Sequence, residues 1–261
     1  MFATLLYNKY LIRELVTRDV RGRYVGSIIG VFWSILNPVL QLTLYTVVFS
    51  TVMNMRFGDD PSWGRFALYL FAALLPWMAL QEAIIRSSRS FIENAHLIKK
   101  LRFPLETLPF SVVFSSFIHQ LLGTVVFVLV LIAIQAFNTR FFALVFLLFV
   151  FQIVMTYGLA VTVACLNVFF RDIAQIIGVL FMLMFWITPI VYPKNRATGL
   201  FQTLLNCNPL THMVEAYRFV FLGNPTPSAW GVLYWIMFSF GAYLVGQFVL
   251  RRTRRELVDL L

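Results

Sequence analysis

Charge is scarce in this chain. Only 12% of its 261 residues are charged, where a soluble domain carries about 25%. The 32 residues from Tyr24 to Met55 contain no charged side chain at all. The apolar stretches are nearly free of ionisable groups, and His119, beside Gln120, is the main mid-span exception. Proton-coupled transporters and voltage sensors need intramembrane Asp, Glu, His or Arg. A lone histidine is more often a hydrogen-bonded packing residue, so an ion-driven mechanism is not expected. Cysteine is scarce too. Cys165 falls in a span and Cys207 in a loop, which gives neither a disulfide pair nor a metal cluster. No G-x-x-x-x-G-K-[ST], H-E-x-x-H or G-x-S-x-G occurs, and no span holds paired carboxylates. Asp59 and Asp60 read as a solvated loop pair. The chain thus lacks a nucleotide engine of its own and gives no support for an intramembrane enzyme. Any uphill movement must draw its energy from another subunit.

What the chain has in quantity is apolar sequence, 60% of its residues. About 20 apolar residues cross a bilayer as a helix, and six candidate spans can be placed at 24–55, 66–86, 104–136, 141–166, 173–190 and 228–250. The expected fold class is an all-α polytopic membrane protein forming a single transmembrane domain over 1–261. The second span is short unless it passes Glu82, whose carboxylate must then snorkel or face protein. The first apolar segment is far longer than the h-region of a signal peptide, so none is expected.

A net charge of +10 would point to nucleic acid in a soluble protein. Here the basic residues flank the spans, where they set topology and meet anionic headgroups instead. With the N-terminus inside, 15 of the 21 Lys and Arg fall on cytoplasmic segments and 6 on outside ones. The positive-inside rule therefore places both termini in the cytoplasm.

Between the spans, several segments carry their own patterns. Over 1–23, Leu5, Ile12, Val16 and Val20 share one face of a helical wheel, with Glu14, Thr17, Arg18 and Arg21 opposite. That reads as an interfacial helix, or as a charged lead-in to the first span. In the loop 86–104, Ser90 and Glu93 have capping-box spacing, Phe91, Ala95 and Ile98 line one face, and Pro104 limits the helix. Such a short helix over 87–103 suits either a partner's groove or the lipid surface. In the loop 167–172, Arg171 and Asp172 suit helix capping. The region 191–227 holds two apolar pieces, Leu200–Leu205 and Leu210–Leu222, broken at Asn206-Cys207-Asn208-Pro209. It fits a pair of re-entrant or interfacial helices at the outer mouth.

Two spans carry aromatic and neutral polar rows. Trp33, Asn37, Gln41, Tyr45 and Phe49 are spaced four apart, drifting about 40° per step. In the fifth span Gln175, Gly178, Met182, Phe185 and Pro189 form a comparable row, flanked by Phe181 and Trp186. Aromatic faces beside neutral hydrogen-bonding groups suit sugar rings and not a bare ion. Helix packing or lipid contact is the plainer reading of any single aromatic.

An ordered set of short motifs carries a resemblance. It runs through Arg18-Asp19, Arg23-Tyr24, Leu36-Asn37-Pro38, Tyr45-x-x-x-Phe49, Leu75-Pro76-Trp77 and Asn94-x-x-Leu97-Ile98-Lys99-Lys100-x-x-Phe103-Pro104. It continues through Phe169-Phe170-Arg171-Asp172-Ile173, Thr188-Pro189-Ile190-x-Tyr192-Pro193, Asn208-Pro209 and Tyr217-Arg218. In these the chain resembles the ABC-2 type permeases that export polysaccharides. It is most similar to the Wzm-like membrane subunits for O-antigen, with capsule and teichoic-acid permeases as near relatives. The resemblance implies a homodimer carrying two copies of a separate ATP-binding subunit, and no cofactor in this chain, since ATP and Mg would be bound by the partner. It implies an undecaprenyl-diphosphate-linked polymer as cargo, and a bacterial cytoplasmic (inner) membrane location. It makes 87–103 a coupling helix, with Glu93, Asn94, Leu97, Ile98, Lys99 and Lys100 at the ATPase contact, and makes 191–227 a gate region. On that footing Trp33, Asn37, Gln41, Tyr45, Phe49, Phe181, Phe185 and Trp186 would line the sugar path. Arg13, Arg18, Arg21 and Arg23 would attract the lipid diphosphate, since arginine forks match phosphate geometry. An ABC-2 exporter of another lipid or drug is the main alternative.

Overall fold

The computed structural model describes residues 9–22, 32–48, 65–100, 104–136, 143–223 and 226–261. Among them every regular element is helical. In chain order the α-helices are α1 (Lys9–Gly22), α2 (Trp33–Tyr45), α3 (Arg65–Ser88), α4 (Ser90–Glu93), α5 (Ala95–Lys100), α6 (Thr107–Ala133), α7 (Leu144–Phe169), α8 (Ile173–Ile187), α9 (Gly199–Cys207), α10 (Pro209–Leu222) and α11 (Ala229–Leu260), with a short 3-10 turn at Lys194–Arg196 before α9. Four of them, α3, α6, α7 and α11, are long and apolar enough to cross a membrane, while α8 and the segment Leu36–Val48 are shorter apolar helices.

The bundle is built around α3. Every side chain from Phe66 to Trp77 is buried, as expected of a helix that is apolar on all sides. It packs against α2, α6, α7, α8 and α10. The helix does pass Glu82, whose carboxylate accepts from Arg86 one turn on at 3.4 Å.

The most extensive helix pair is α7 with α11, and it is backbone against backbone. A Cβ on Gly158 would lie 2.4 Å from the Ala242 carbonyl, and one on Gly246 would lie 2.4 Å from the Gly158 carbonyl oxygen. Ala242 and Gly246, four apart, form a small-xxx-small seam that allows this approach, because between apolar helices in lipid close packing supplies the attraction. α11 runs ten residues past the expected end of its span, to Leu260. No glycine or proline stops it, and Leu250 and Leu257 bury a continuing apolar stripe against the rest of the chain.

Asn208 separates α9 from α10. Its side chain accepts from the Leu210 N–H at 3.0 Å, and Pro209 takes the first helical position, where its missing N–H costs nothing. Its amide also donates to the Thr188 hydroxyl at 3.0 Å, tying this break to the end of α8.

Candidate functional site

Two groups of candidate residues meet at the α1 end of the bundle. The Arg18 guanidinium donates to the Asn94 amide oxygen at 3.1 Å, and Asn94 donates back to the Ser90 carbonyl at 2.9 Å. Arg86 of α3 pairs with Asp19 of α1. Together these side chains, with Arg89, Glu93 and Ser111, border a cavity of about 420 Å³. α1 reaches this position by laying Leu15 and Val16 against the protein. Arg13, Arg18 and Arg21 remain exposed, and Arg23 lies outside the described residues.

The short helical segment differs from the capping-box expectation. Arg89, not Ser90, is the N-cap of α4, and it makes no side-chain cap bond. Ser90 is turned inward instead and donates to the Ser87 carbonyl at 2.7 Å. The cause is burial. Phe91 and Ile98 are packed inside with Leu108 and Phe117, so the apolar face belongs to this chain's own core. What points outward is the opposite edge, with Ile92, Glu93, His96 and Lys99 exposed. Asn94 and Leu97 are half-buried, and Lys100 closes α5. The loop 167–172 likewise uses a different cap, since Asn167 accepts from the Ala174 N–H at 2.9 Å while Asp172 makes no cap bond.

The aromatic rows divide by surroundings. On α2, Trp33, Gln41 and Tyr45 are half-buried and Asn37 is exposed; Phe49 lies outside the described residues. On α8, Phe181 is 7% exposed and meets the Trp77 ring edge-on at 5.7 Å, with Phe185 on the same indole at 5.9 Å. Trp186, by contrast, is 61% exposed. Phe181 therefore packs behind the helix face that Trp186 presents.

Two polar groupings lie outside the expected site residues, although Tyr217-Arg218 is among the motifs that carry the resemblance. The first joins four helices, through Gln120, Gln152, Tyr217 and the Pro76 carbonyl of α3. Gln120 donates to Gln152 at 3.0 Å, the Tyr217 hydroxyl bonds the Gln152 oxygen, and Gln152 donates to the Pro76 carbonyl at 2.8 Å. The second is Arg218. Counted in the sequence as an outside-loop cation, it is 1% exposed and donates to the carbonyls of Tyr69, Pro189 and Ile190. Burial lowers its pKa to about 10, so it stays a cation at neutral pH. Beside it Glu215 pairs with Lys194 at 3.1 Å and approaches His212 at 3.8 Å. In the sequence Glu215, three residues earlier, is the nearer ionised candidate for Arg218, and the fold gives that carboxylate to Lys194 instead.

The helical bundle thus carries an exposed polar edge on α4 and α5 and a helix pair broken at Asn208. The ABC-2 type transporter model matches residues 10–222, and the chain belongs to that family. Among its relatives, the O-antigen export system permease protein RfbA of Klebsiella pneumoniae is 29% identical over 216 residues, covering 82% of this chain and 81% of the relative. The protein of the same name from Myxococcus xanthus is 28% identical over 221 residues, covering 84% and 83%. The polysialic acid transport protein KpsM of Escherichia coli is 22% identical over 249 residues, covering 95% of both.

Proposed function

We propose that this chain is the membrane-spanning permease subunit of an ABC transporter that exports an undecaprenyl-diphosphate-linked polysaccharide of the O-antigen type. The observation that carries this reading is the family match over 10–222 together with export permeases similar over four-fifths of both chains. In this reading α2 and α8 complete six spans, and both termini face the cytoplasm, as the charge bias supports. Two copies pair and carry two copies of an ATP-binding subunit, which binds ATP and Mg and docks on the exposed edge of α4 and α5. The lipid diphosphate arrives at the basic face of α1. The polymer passes along the α2 and α8 rows, and α9 and α10 gate the far side.

The division of labour has a physical basis. Arginines at a membrane surface meet a diphosphate with little desolvation, whereas neutral amides and aromatic rings hold a sugar chain weakly enough to let it slide. The test is co-purification with the ATP-binding subunit, followed by adding defined lipid-linked glycans and measuring ATPase stimulation. Stimulation by O-antigen intermediates is the expected result. Stimulation by a hydrophobic drug or a simple lipid alone would move the assignment to another ABC-2 cargo.

A further inference from the structure

Adjacent residues of α10 hold the central helix at two depths. Tyr217 bonds Gln152, which reaches the Pro76 carbonyl at 2.8 Å. Arg218 donates to the Tyr69 carbonyl at 3.2 Å and lies over the Tyr69 ring at 3.4 Å. Tyr69 and Pro76 are about two helical turns apart on α3. The same guanidinium grips the chain just past α8, with the Pro189 carbonyl at 2.7 Å and that of Ile190 at 2.6 Å. At its other end α3 leads, through the single turn residue Arg89, straight into α4 and α5.

Packing alone does not call for this arrangement. A buried cation carries a desolvation cost that an apolar side chain of similar volume avoids. Glu215, one turn earlier, pairs with Lys194 and not with Arg218. Directional hydrogen bonds from one short segment to three others do what apolar contacts cannot. They fix one register and resist sliding, so a shift in one partner is passed to the others.

We infer that Tyr217 and Arg218 are positioning residues that couple α3 to α10 and to the end of α8. The inference rests on the reading of 87–103 as the docking segment. A displacement imposed there by the ATP-binding subunit travels along α3. Tyr217 and Arg218 deliver it to the broken helix pair α9–α10 and to the helix that carries Phe185 and Trp186.

The chain supplies its own reporter. Cys207 is exposed at the α9–α10 junction, whereas Cys165 is buried. In the complex with the ATP-binding subunit, the alkylation rate of Cys207 should differ about tenfold between nucleotide-free and ATP-bound states, within the usual span of allosteric coupling. Tyr217→Phe keeps the ring and loses the hydroxyl; Arg218→Gln keeps donors and loses the charge and the fork. Both variants should capture the ATP-binding subunit and retain basal ATPase activity, while the nucleotide dependence of labelling falls to about twofold or less. A full wild-type response in Tyr217→Phe overturns the inference, as does a wild-type complex whose Cys207 ignores nucleotide. Should Arg218→Gln fail to assemble, the isosteric Tyr217→Phe decides. A wild-type chain that captures no ATP-binding subunit overturns the docking reading, and the transmission with it; retained capture with an unchanged response overturns the transmission alone.

Discussion

Arg18 and Asn94 lie 76 positions apart and are joined by a 3.1 Å hydrogen bond from guanidinium to amide oxygen. The bond links the basic face of α1 to the break between α4 and α5. It thus connects the surface proposed to meet the lipid diphosphate with the one proposed to meet the ATPase. Asn94 is the hub, since its amide also donates to the Ser90 carbonyl.

Asn94→Ala removes both bonds, each worth about 1 kcal/mol. The α4–α5 edge should loosen, and capture of the ATP-binding subunit should weaken about tenfold, the equivalent of about 1.4 kcal/mol. Arg18→Gln should weaken it less, because the serine bond survives. Binding measured by titration of the purified subunits checks the order; equal effects of the two changes would contradict the hub role of Asn94.

Replacing Arg21 and Arg23 by Gln should impair polymer export while assembly and basal ATPase activity persist. Arg21 is exposed, so its replacement removes no packing, and retained assembly shows that the export defect reports on attraction of an anionic head. Unchanged export in cells carrying the double variant would remove the diphosphate role.

The neighbours Phe181 and Trp186 should separate stability from transport. Phe181→Ala empties a site against Trp77 and should cost about 3 kcal/mol or more, seen as a lower unfolding temperature in detergent. Trp186→Ala changes an exposed side chain and should stay within about 0.5 kcal/mol, yet slow export several-fold. Thermal unfolding and export assays on the same preparations make the comparison. Normal export by Trp186→Ala would place that ring outside the polymer path.

Gly158→Ala should destabilise the α7–α11 pair by about 1–3 kcal/mol, because the added methyl meets backbone that has no rotamer to change. Gly178→Ala, with nothing within 4 Å of its Cβ position, should be neutral or slightly stabilising, since alanine favours helix. The two unfolding temperatures, measured side by side, test whether the close approach at Gly158 is needed.

The sequence by itself determined the lipid environment and the helical class, because runs of apolar residues admit no other economical backbone in a bilayer. Asn208, Pro209 and the Thr188-Pro189 step mark helix ends locally, within a turn of where they stand, whereas nothing in the sequence placed the end of α11 at Leu260. Tertiary structure decided what each apolar face meets. Periodicity marks Phe91 and Ile98 as one face, but lipid, a partner's groove and the chain's own core are equally apolar, and only the fold shows that the core takes them. The same limit hid Phe181 behind Trp77. Arg218 shows it most plainly, since its partners are backbone carbonyls of Tyr69, Pro189 and Ile190. Every residue has a carbonyl, so no sequence pattern marks the three that the fold brings to one guanidinium.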